Sequence, residues 1–479
     1  MLEVYCDVVV VGSGAGGGVV AAELAEGGLD VVVVEEGGWM GTEDFGPDAG
    51  NALQRMYRDA GMRMALGVPP VLFSEGRTVG GSTVINGGMT WRTPDKILAD
   101  WDRNHGVDHI GPQDMERWFE RVERRVSAQR QGTWSIGRDN KKLAEGAKKL
   151  GWHTVRNIRN QLHCAGSNNC AFGCPTGAKK SVILSYLPRA LHFGARVLAG
   201  ARVDRVLLNG RRAIGVEGPG FVVRAPRTVI CGGAVQTPAL LQTSGVKSRS
   251  GNLGRRLSLH PNIKLVALMR DPVRGWEGVH QAYQIEEFED EGLRLAAVNV
   301  PPSLSAMTLP MYGAELARVM GRYDHMLIAG MLLEDSVFGR VRSIGGRPVT
   351  TYQVTEDDGR RLVKGASLLA QLLFEVGAEE IVLPFEGVPS LRSADDARRL
   401  MGQKVPLSSM ELVTVHIMGT AAMGSDPRRH VCDSYGAFYG ADSLYVADAS
   451  LFPGPIGINP METIMALATR VAARLLESS

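Results

Sequence analysis

The sequence predicts an α/β protein, α+β overall, that combines a Rossmann-like nucleotide-binding domain with a second domain built on an antiparallel sheet. Three observations indicate this fold class. A valine-rich strand leads through a glycine turn into a helix of small residues within the first 36 positions. Many of the 59 glycines lie in short clusters beside apolar runs, and strand-like alternation occupies positions 262–410. A chain of 479 residues is long enough for roughly two to three structural units.

Composition and charge exclude several classes of function. Hydrophobic residues make up 44% of the chain, and the formal net charge of +2 predicts no nucleic-acid partner. No apolar run approaches the roughly 18 residues of a membrane span, so we expect no transmembrane segment. The N-terminus lacks a basic region followed by an apolar stretch and a cleavage site. This predicts a cytoplasmic protein, unless a partner subunit carries an export signal.

The predicted elements follow in order along the chain. Asp7–Val11 is expected to be a strand buried on both faces, because it is almost entirely valine. The small residues of Val19–Leu24 predict a helix, and Val31–Val34 predicts a second strand that ends at Glu35. The later predicted elements are the helix-rich segment 95–190, the strand Ile263–Met269, the helix Lys364–Val376 and the C-terminal helix Thr463–Leu476.

The glycine turn predicts a dinucleotide site. Gly12, Gly14 and Gly17 form G-x-G-x-x-G between the first strand and the first helix. The first glycine permits the tight turn, the second lets the pyrophosphate approach the backbone, and the third lets helix and strand pack closely. The helix N-terminus then faces the phosphates, and Glu35 stands where a carboxylate can accept from ribose hydroxyls. The turn alone does not decide between NAD and FAD.

A cysteine cluster leaves three interpretations open. Cys164, Cys170 and Cys174 are spaced C-x5-C-x3-C-P. Three thiolates can hold a [3Fe-4S] cluster, His163 can complete a Cys3His zinc site, or the thiols are structural or form a disulfide. The remaining cysteines are predicted to be packed thiols: Cys6, Cys231 and Cys432.

Several motifs resemble the glucose–methanol–choline (GMC) oxidoreductase family. Arg77–Asn86, continuing to Arg92, resembles the flavin-loop signature of that family. Further matches occur in the family's order at Ala201–Val203, Cys231–Pro238, Asn252–Arg255, His260–Pro261, His416–Thr420, Val446–Ser450 and Gly457–Pro460. The resemblance covers most of the chain and is weakest over residues 265–400.

The resemblance implies FAD as the cofactor. Because the aligned attachment position is Ile85, which has no nucleophile, we expect non-covalent FAD. We predict a discontinuous FAD-binding domain at 1–94, 191–262 and 430–479, a cysteine-containing helical insertion at 95–190, and a substrate-binding domain at 263–429. The expected cofactor-binding residues are Gly12, Gly14, Gly17, Glu35, Arg77, Gly80, Gly81, Ser82, Asn86, Val203, Asp448, Ala449 and Thr463.

The C-terminal motifs resemble the family's catalytic histidine and its His-or-Asn partner. The resemblance implies that His416 is a general base, which takes the hydroxyl proton while hydride leaves the substrate carbon for flavin N5. Asn459 is expected to hydrogen-bond and orient the substrate oxygen. A packed, structural histidine is the alternative interpretation of His416. His260 is a second candidate, expected instead to close the end of the flavin domain.

The predicted function is FAD-dependent oxidation of the CH–OH group of a small-molecule alcohol. The motifs resemble both long-chain alcohol oxidases and the large subunit of bacterial FAD glucose dehydrogenases, which carries a [3Fe-4S] cluster. The substrate can therefore be either a sugar or a lipophilic alcohol. The electron acceptor can be O2, a redox partner or a partner subunit. The alternatives are a non-redox lyase of the same fold and an NAD-linked dehydrogenase.

Four methionines mark the predicted substrate region. They can line an adaptable apolar pocket or simply fill core; the core interpretation is preferred. These residues are Met307, Met311, Met320 and Met326.

Overall fold

A computed structural model of the protein describes residues 1–299 and 301–477. Residue 300, in the predicted segment 263–429, and residues 478 and 479, in the segment 430–479, lie outside the described residues. The strands are β1 (Leu2–Tyr5), β2 (Val8–Val11), β3 (Val31–Glu35), β4 (Arg63–Ala65), β5 (Val71–Phe73), β6 (Ala128–Arg130), β7 (Thr154–Arg156), β8 (Ile158–Asn160), β9 (Arg196–Ala199), β10 (Arg205–Asn209), β11 (Arg212–Gly218), β12 (Phe221–Arg224), β13 (Arg227–Ile230), β14 (Arg255–Leu257), β15 (Asn262–Met269), β16 (Tyr283–Ile285), β17 (Leu293–Ala297), β18 (Met326–Leu333), β19 (Gly339–Ile344), β20 (Arg347–Thr351), β21 (Ala378–Val382), β22 (Leu412–Thr414) and β23 (Leu444–Val446). The helices are α1 (Ala15–Glu26), α2 (Ala49–Met56), α3 (Ser82–Ile85), α4 (Asp95–His105), α5 (Pro112–Val126), α6 (Arg138–Leu150), α7 (Tyr186–His192), α8 (Gly233–Thr243), α9 (Pro302–Met307), α10 (Gly313–Met320), α11 (Glu356–Glu375), α12 (Ala394–Leu400) and α13 (Met461–Glu477).

A five-stranded parallel sheet lies at the centre of the nucleotide-binding part. Its strand order is β23-β13-β2-β3-β9. The valines of β2 and β3 are buried on both faces, as expected for a parallel sheet covered by helices. Helix α1 packs against this sheet and against α7 and α13. The predicted Rossmann-like FAD-binding domain is therefore confirmed.

A smaller sheet adjoins the parallel one. It has the order β1-β12-β11-β10, in which β1 and β12 are parallel and the other pairs are antiparallel. Its strands come from the predicted FAD-binding segments 1–94 and 191–262. Because β12 leads through a short turn into β13, the two sheets are joined by a continuous stretch of chain.

A nine-stranded sheet forms the second part of the molecule. Its order is β4-β5-β22-β15-β18-β17-β16-β7, with β21 also paired to β15. Only the β5–β22 pair in this sheet is parallel, so the predicted antiparallel sheet is confirmed. Strands β4 and β5 come from the predicted segment 1–94, and β7 comes from 95–190. The division of the chain into segments therefore stays a prediction.

Two large apolar cores correspond to the two parts. The first surrounds the parallel sheet and includes side chains of α4 and α5, such as Trp101 and Phe119. The second lies between the nine-stranded sheet and the helices α6 and α11. Helix α11 begins at a capped position, because the Thr355 hydroxyl accepts from the Asp358 amide at 3.0 Å.

A third, smaller core lies on the opposite face of the nine-stranded sheet. It includes Val266 and Leu268 of β15, which helices α9 and α10 cover. Three of the four methionines of the predicted substrate region belong to it. Met326 is buried, and Met311 and Met320 pack against the cluster, whereas Met307 is exposed. The core interpretation is therefore confirmed for Met326.

Across residues 1–299 and 301–477, none of the helices is both long enough and apolar enough to span a membrane.

Candidate active site

Two of the three glycines in the turn are closely packed, and the third borders open space. Gly12 has φ +95°, and a Cβ there would lie 2.4 Å from the carbonyl oxygen of Cys231. A Cβ on Gly17 would lie 1.8 Å from the Gly12 carbonyl oxygen. A Cβ on Gly14 would meet only the Cα of Gly81, at 3.9 Å. The fold itself therefore requires Gly12 and Gly17, whereas Gly14 leaves space that no described side chain fills.

Helix α1 begins beside this space without a cap. Its N-cap residue, Gly14, has no side chain, and the first turn contains no acidic residue. The first amide groups of the helix therefore remain available for an anionic ligand, as at helix N-termini that bind phosphate. These features fit the pyrophosphate of a dinucleotide.

Glu35 connects the glycine turn to the rest of the site. One carboxylate oxygen accepts from the Ser13 amide at 2.9 Å and the Ser13 hydroxyl at 2.7 Å, and the other accepts from the Gly37 amide at 2.7 Å. Burial raises the pKa of the Glu35 carboxyl, and these hydrogen bonds oppose the rise. The Ser13 hydroxyl in turn accepts from the Gly80 amide at 2.9 Å. Glu35 therefore fixes the turn and, through Ser13, the flavin loop; its contact with ribose stays a prediction.

The flavin loop, Arg77–Asn86, lies directly against the glycine turn. Gly80 and Gly81 both have positive φ, and a Cβ on Gly81 would lie 2.9 Å from the Cα of Gly14. The Ser82 hydroxyl accepts from the Gly76 amide at 3.0 Å. Residues about 65 positions apart are thus brought together at the backbone, as a single cofactor site built from both segments would require.

The two ends of the flavin loop make different contacts. Arg77 is half-exposed, and its Nε lies 3.2 Å from a carboxylate oxygen of Glu36. The Asn86 side chain donates to the sulfur of Met461 at 3.0 Å and accepts from the Gly88 amide at 3.1 Å. Arg77 therefore faces the surface, whereas Asn86 faces α13.

The remaining predicted cofactor residues lie around the same turn. Asp448 is buried and accepts from the amides of Gly233 and Ser450, each at 2.8 Å. A Cβ on Gly16 would lie 3.3 Å from the Asp448 Cα, so Asp448 and Ala449 lie beside the start of α1. The Thr463 hydroxyl is buried against that of Thr93 at 2.8 Å. Val203 is half-buried at the edge of the first core.

His416 and Asn459 meet although 43 positions separate them. The Asn459 side-chain nitrogen lies 3.0 Å from Nε2 of His416. The imidazole is buried, and its Nδ1 has no hydrogen-bond partner within the described part of the chain. Burial lowers the pKa of His416 to about 4. An amide N–H can only donate, so Nε2 must carry a free lone pair, which makes His416 a neutral base at neutral pH.

His260 holds the loop that carries Asn459. Its Nε2 accepts from the amides of Gly457 and Ile456 at 3.1 Å and 3.3 Å, and its ring lies 5.6 Å from the ring of His416. Burial, with His416 and Arg294 nearby, lowers the pKa of His260 well below its ordinary value. His260 therefore supports the loop and donates no proton.

Arg294 holds the same loop from the other side, and the sequence analysis did not identify it. Its Nε donates to the Gly457 carbonyl at 2.9 Å, while its other nitrogens pair with Glu286 and Glu289. Gly457 is thus fixed through both its amide and its carbonyl. A signal was available, because an arginine interrupts the otherwise apolar strand β17.

The three clustered cysteines do not form a metal site. Cys170 and Cys174 are buried, whereas Cys164 is half-buried and packs against a separate small apolar cluster. Within residues 1–299 and 301–477, no group of three or more His, Cys, Asp or Glu side chains is placed to hold a metal ion. The [3Fe-4S] hypothesis and the zinc alternative with His163 are therefore not supported. The placement of these cysteine and histidine side chains does not fit an iron–sulfur cluster or a zinc ion.

The cysteine segment instead contacts the flavin loop through a buried lysine. Nζ of Lys179 donates to the carbonyls of Val84 at 2.7 Å, Asn86 at 2.8 Å and Cys170 at 2.7 Å. Burial lowers the pKa of Lys179 to about 8. The Cys170 sulfur accepts from Arg159 at 3.2 Å. These contacts indicate that the segment braces the flavin loop.

We expect the variant Lys179→Met to lower the free energy of unfolding by about 2–5 kcal/mol, because three buried carbonyls lose their charged donor. Denaturant unfolding of the holoprotein measures this change. Lys180→Met is the matched control, because Nζ of Lys180 donates one bond, to the Gly177 carbonyl at 3.1 Å; a cost of about 1 kcal/mol or less is expected. Equal losses in the two variants would contradict a bracing role.

Family comparisons agree with this arrangement. The GMC oxidoreductase family matches the chain over residues 53–262 and again over residues 340–468. The glycine turn falls in a further match, over residues 7–80, to the pyridine nucleotide-disulphide oxidoreductase family.

Individual relatives cover nearly the whole chain. An uncharacterized GMC-type oxidoreductase from Mycobacterium tuberculosis is 37% identical over 473 residues, which are 97% of this chain and 75% of the relative. A long-chain-alcohol oxidase from Arabidopsis thaliana is 28% identical and spans 100% of this chain and 68% of the relative. Among solved structures, pyridoxine 4-oxidase from Mesorbium loti has a TM-score of 0.73 at 19% identity, covering 98% of this chain and 99% of that one. This last likeness shows a shared fold.

Proposed function

The chain belongs to the GMC oxidoreductase family of FAD oxidoreductases, and from that premise we propose that it oxidises the CH–OH group of a small-molecule alcohol with His416 as the base. The observation that carries this proposal is the contact at 3.0 Å between the buried His416 and the part-buried Asn459. Asn459 lies two residues before Met461, which the flavin-loop residue Asn86 contacts. FAD, when bound, supplies the hydride acceptor at flavin N5. We propose non-covalent binding, because Ile85 offers no nucleophile to the ring.

His416 supplies the proton acceptor. An alcohol releases hydride from carbon only as its hydroxyl proton is withdrawn, so the base must be unprotonated at working pH. Burial in an apolar surrounding keeps the imidazole neutral, with the Nε2 lone pair directed at the Asn459 amide. In the proposed reaction the substrate oxygen takes the place of this amide and gives its proton to Nε2. The products are then a carbonyl compound and an imidazolium.

Asn459 supplies orientation without charge. Its amide can donate to the substrate oxygen once that oxygen lies between the two side chains. The loop that carries it is held at Gly457 by His260 and Arg294. Because the loop is already fixed, Asn459 loses little conformational freedom when the substrate binds. The pair is therefore preorganised for one substrate geometry.

Anaerobic mixing of the FAD-loaded enzyme with alcohols tests this function. Primary and secondary alcohols, including a sugar and a long-chain alcohol, are expected to bleach the flavin absorbance and to yield the matching carbonyl product. The relatives named as oxidases favour O2 as the acceptor, which peroxide formation on admitting air measures. A flavoprotein that no alcohol bleaches would instead support the non-redox lyase alternative.

We expect Asn459→Asp to shift the pH dependence of the reaction. A carboxylate in place of the amide, 3.0 Å from Nε2, favours the imidazolium. The pKa of His416 would then rise from about 4 by roughly 1–3 pH units. Because only the neutral base accepts a proton, the acid limb of kcat/KM should move upward by that amount. Asn459→Ala is the control: it adds no charge, so its acid limb should stay while kcat falls.

A further inference from the structure

One face of the nine-stranded sheet is open beside the catalytic loop. Along β15, Ile263 and Leu265 are fully buried in the second core, whereas Asn262 and Lys264 point the other way and are partly exposed. Val266, farther along on that same face, is buried under α9 and α10. The open part of the face therefore ends just beyond Lys264.

The strand register places Lys264 on the same face of the sheet as Arg294, which holds the loop that carries Asn459. Asn262 lies opposite Leu332, which lies opposite Arg294, and Arg294 donates to the Gly457 carbonyl. The next row along the strands is Lys264, Gly330 and Ala296. Successive rows on one face are about 7 Å apart. Lys264 therefore lies one row along and two strands across from Arg294, the side chain that holds the catalytic loop, about 12 Å away between backbones.

The row around Lys264 is lined by small residues. A Cβ on Gly330 would lie 3.1 Å from the carbonyl oxygen of Ile263, 3.6 Å from Cγ of Lys264 and 3.9 Å from Val298. Gly330 has no positive φ, so close packing against β15, and not backbone conformation, favours glycine at this position. Glycine within a strand often marks a place where another molecule approaches closely. Gly330 and Ala296 thus leave a groove with the lysine along one side.

The Lys264 ammonium has no partner in the protein. Within residues 1–299 and 301–477, its Nζ makes no hydrogen bond or ion pair, and burial alone lowers its pKa. The acidic side chains on this face lie away from Lys264: Glu286 pairs with Arg294 at 2.9 Å, and the Glu334 carboxylate lies against Gly457, one row beyond Arg294 on the side away from Lys264. Because the ammonium is partly withdrawn from water and has no counter-charge, a ligand that supplies the charge is favoured.

The neighbouring charges have the same sign. His280, beside Gly87 of the segment that follows the flavin loop, has its pKa lowered to about 3 by burial and by the positive charges of Arg159, Lys264 and Lys179. His280 is therefore neutral at neutral pH. The three cations around His280 create a positive potential there, and such a potential attracts anions.

We propose that Lys264 binds an anionic group, a carboxylate or a phosphate, on the alcohol that this enzyme oxidises. The inference rests on the proposed function and narrows its substrate class. The hydroxyl lies between His416 and Asn459, and the anionic group lies along the sheet at Lys264, several bonds from the reacting carbon. The apolar residues around Lys264 contact the chain between the two groups. An ω-hydroxycarboxylate has this pattern.

Binding and turnover are measured on the FAD-loaded enzyme, wild type against Lys264→Met and Lys264→Arg. Hexanoate and hexanamide are titrated and followed by the flavin difference spectrum. Lys264→Met should weaken hexanoate binding about tenfold or more, as loss of a charge-assisted contact predicts. Hexanamide binding should be unchanged, and Lys264→Arg should retain hexanoate within a few-fold. FAD content and melting temperature show that each variant is folded.

Turnover uses matched substrates of increasing chain length: ω-hydroxycarboxylates, ω-hydroxyalkyl phosphates and the neutral alcohols. Wild type should prefer one of the two anionic series, and the preferred series shows whether the group is a carboxylate or a phosphate. Lys264→Met should raise KM for that series about tenfold or more and leave KM for the neutral alcohols unchanged. Equal effects on anionic and neutral compounds would overturn the proposal. If no alcohol bleaches the flavin while hexanoate still binds through Lys264, the anion site stands and the proposed oxidation fails.

Discussion

Replacing His416 by alanine is expected to lower the rate of flavin reduction by alcohol about 100- to 10,000-fold, the usual contribution of a positioned base. The imidazole Nε2 lies 3.0 Å from the Asn459 amide and is the neutral proton acceptor of the pair. The neighbouring His260 cannot replace it, because its own Nε2 is occupied by two loop amides. Anaerobic stopped-flow absorbance of the flavin measures the rate directly.

The variant must keep its cofactor for this result to be informative. FAD content of His416→Ala should match wild type, and its melting temperature should fall by only a few degrees, because within the described chain the variant loses one contact, from Nε2 to Asn459, and the volume of one buried ring. His192→Ala, on the exposed end of α7, is the matched control and should reduce its flavin at the wild-type rate. A His416→Ala enzyme that retains FAD and full activity would show that this histidine is only packed.

The pH dependence gives an independent check on the same residue. Burial lowers the pKa of His416 to about 4, so the base is neutral at neutral pH and becomes protonated only below that value. For wild type, kcat/KM should therefore be flat from neutral pH downward and fall as pH drops through about 4. An acid limb near the ordinary histidine value would mean that the imidazole is more hydrated than the structure shows.

Local patterns predicted the nucleotide-binding half well. The valine strand, glycine turn and small-residue helix are observed as β2, Gly12–Gly17 and α1, because each depends on contacts between residues near in sequence. The start of α11 was harder. The helix was predicted from Lys364 but begins at Glu356. Its first turn is polar, and the Thr355 cap and three acidic residues stabilise this helix start.

Long-range contacts account for what the sequence did not predict. The motif order suggested His416 with Asn459. The arginine within apolar β17 indicated a buried polar contact, but the sequence did not indicate that its partner would be the Gly457 carbonyl. A metal site was one interpretation of the cysteine spacing, whereas in the structure Lys179 joins the Cys170 carbonyl to two carbonyls of the flavin loop. Spacing along the chain fixes which residues are available, and packing of distant elements decides which of them meet.

Alanine at Gly14 and alanine at Gly17 are expected to fail in different ways. A methyl group on Gly14 would stand in open space in the apoprotein, 3.9 Å from the Cα of Gly81, and the backbone at φ −70° accepts it. The apoprotein should therefore lose about 1 kcal/mol of stability or less, from the poorer helix cap. The same methyl group would occupy the space in which we propose that the pyrophosphate approaches the backbone. An overpacking cost of about 1–3 kcal/mol would weaken FAD binding roughly 5- to 150-fold.

Gly17→Ala tests the same turn through the fold. Its methyl group would lie 1.8 Å from the Gly12 carbonyl oxygen, so α1 must move away from β2. This variant should lose about 3 kcal/mol or more of apoprotein stability and bind FAD poorly as a consequence. Thermal unfolding of the apoproteins and FAD titration by flavin fluorescence separate the two effects. If Gly14→Ala destabilises the apoprotein as much as Gly17→Ala does, the fold itself requires the space beside Gly14. If the Gly14→Ala apoprotein stays folded but binds FAD weakly, that space is where the dinucleotide binds.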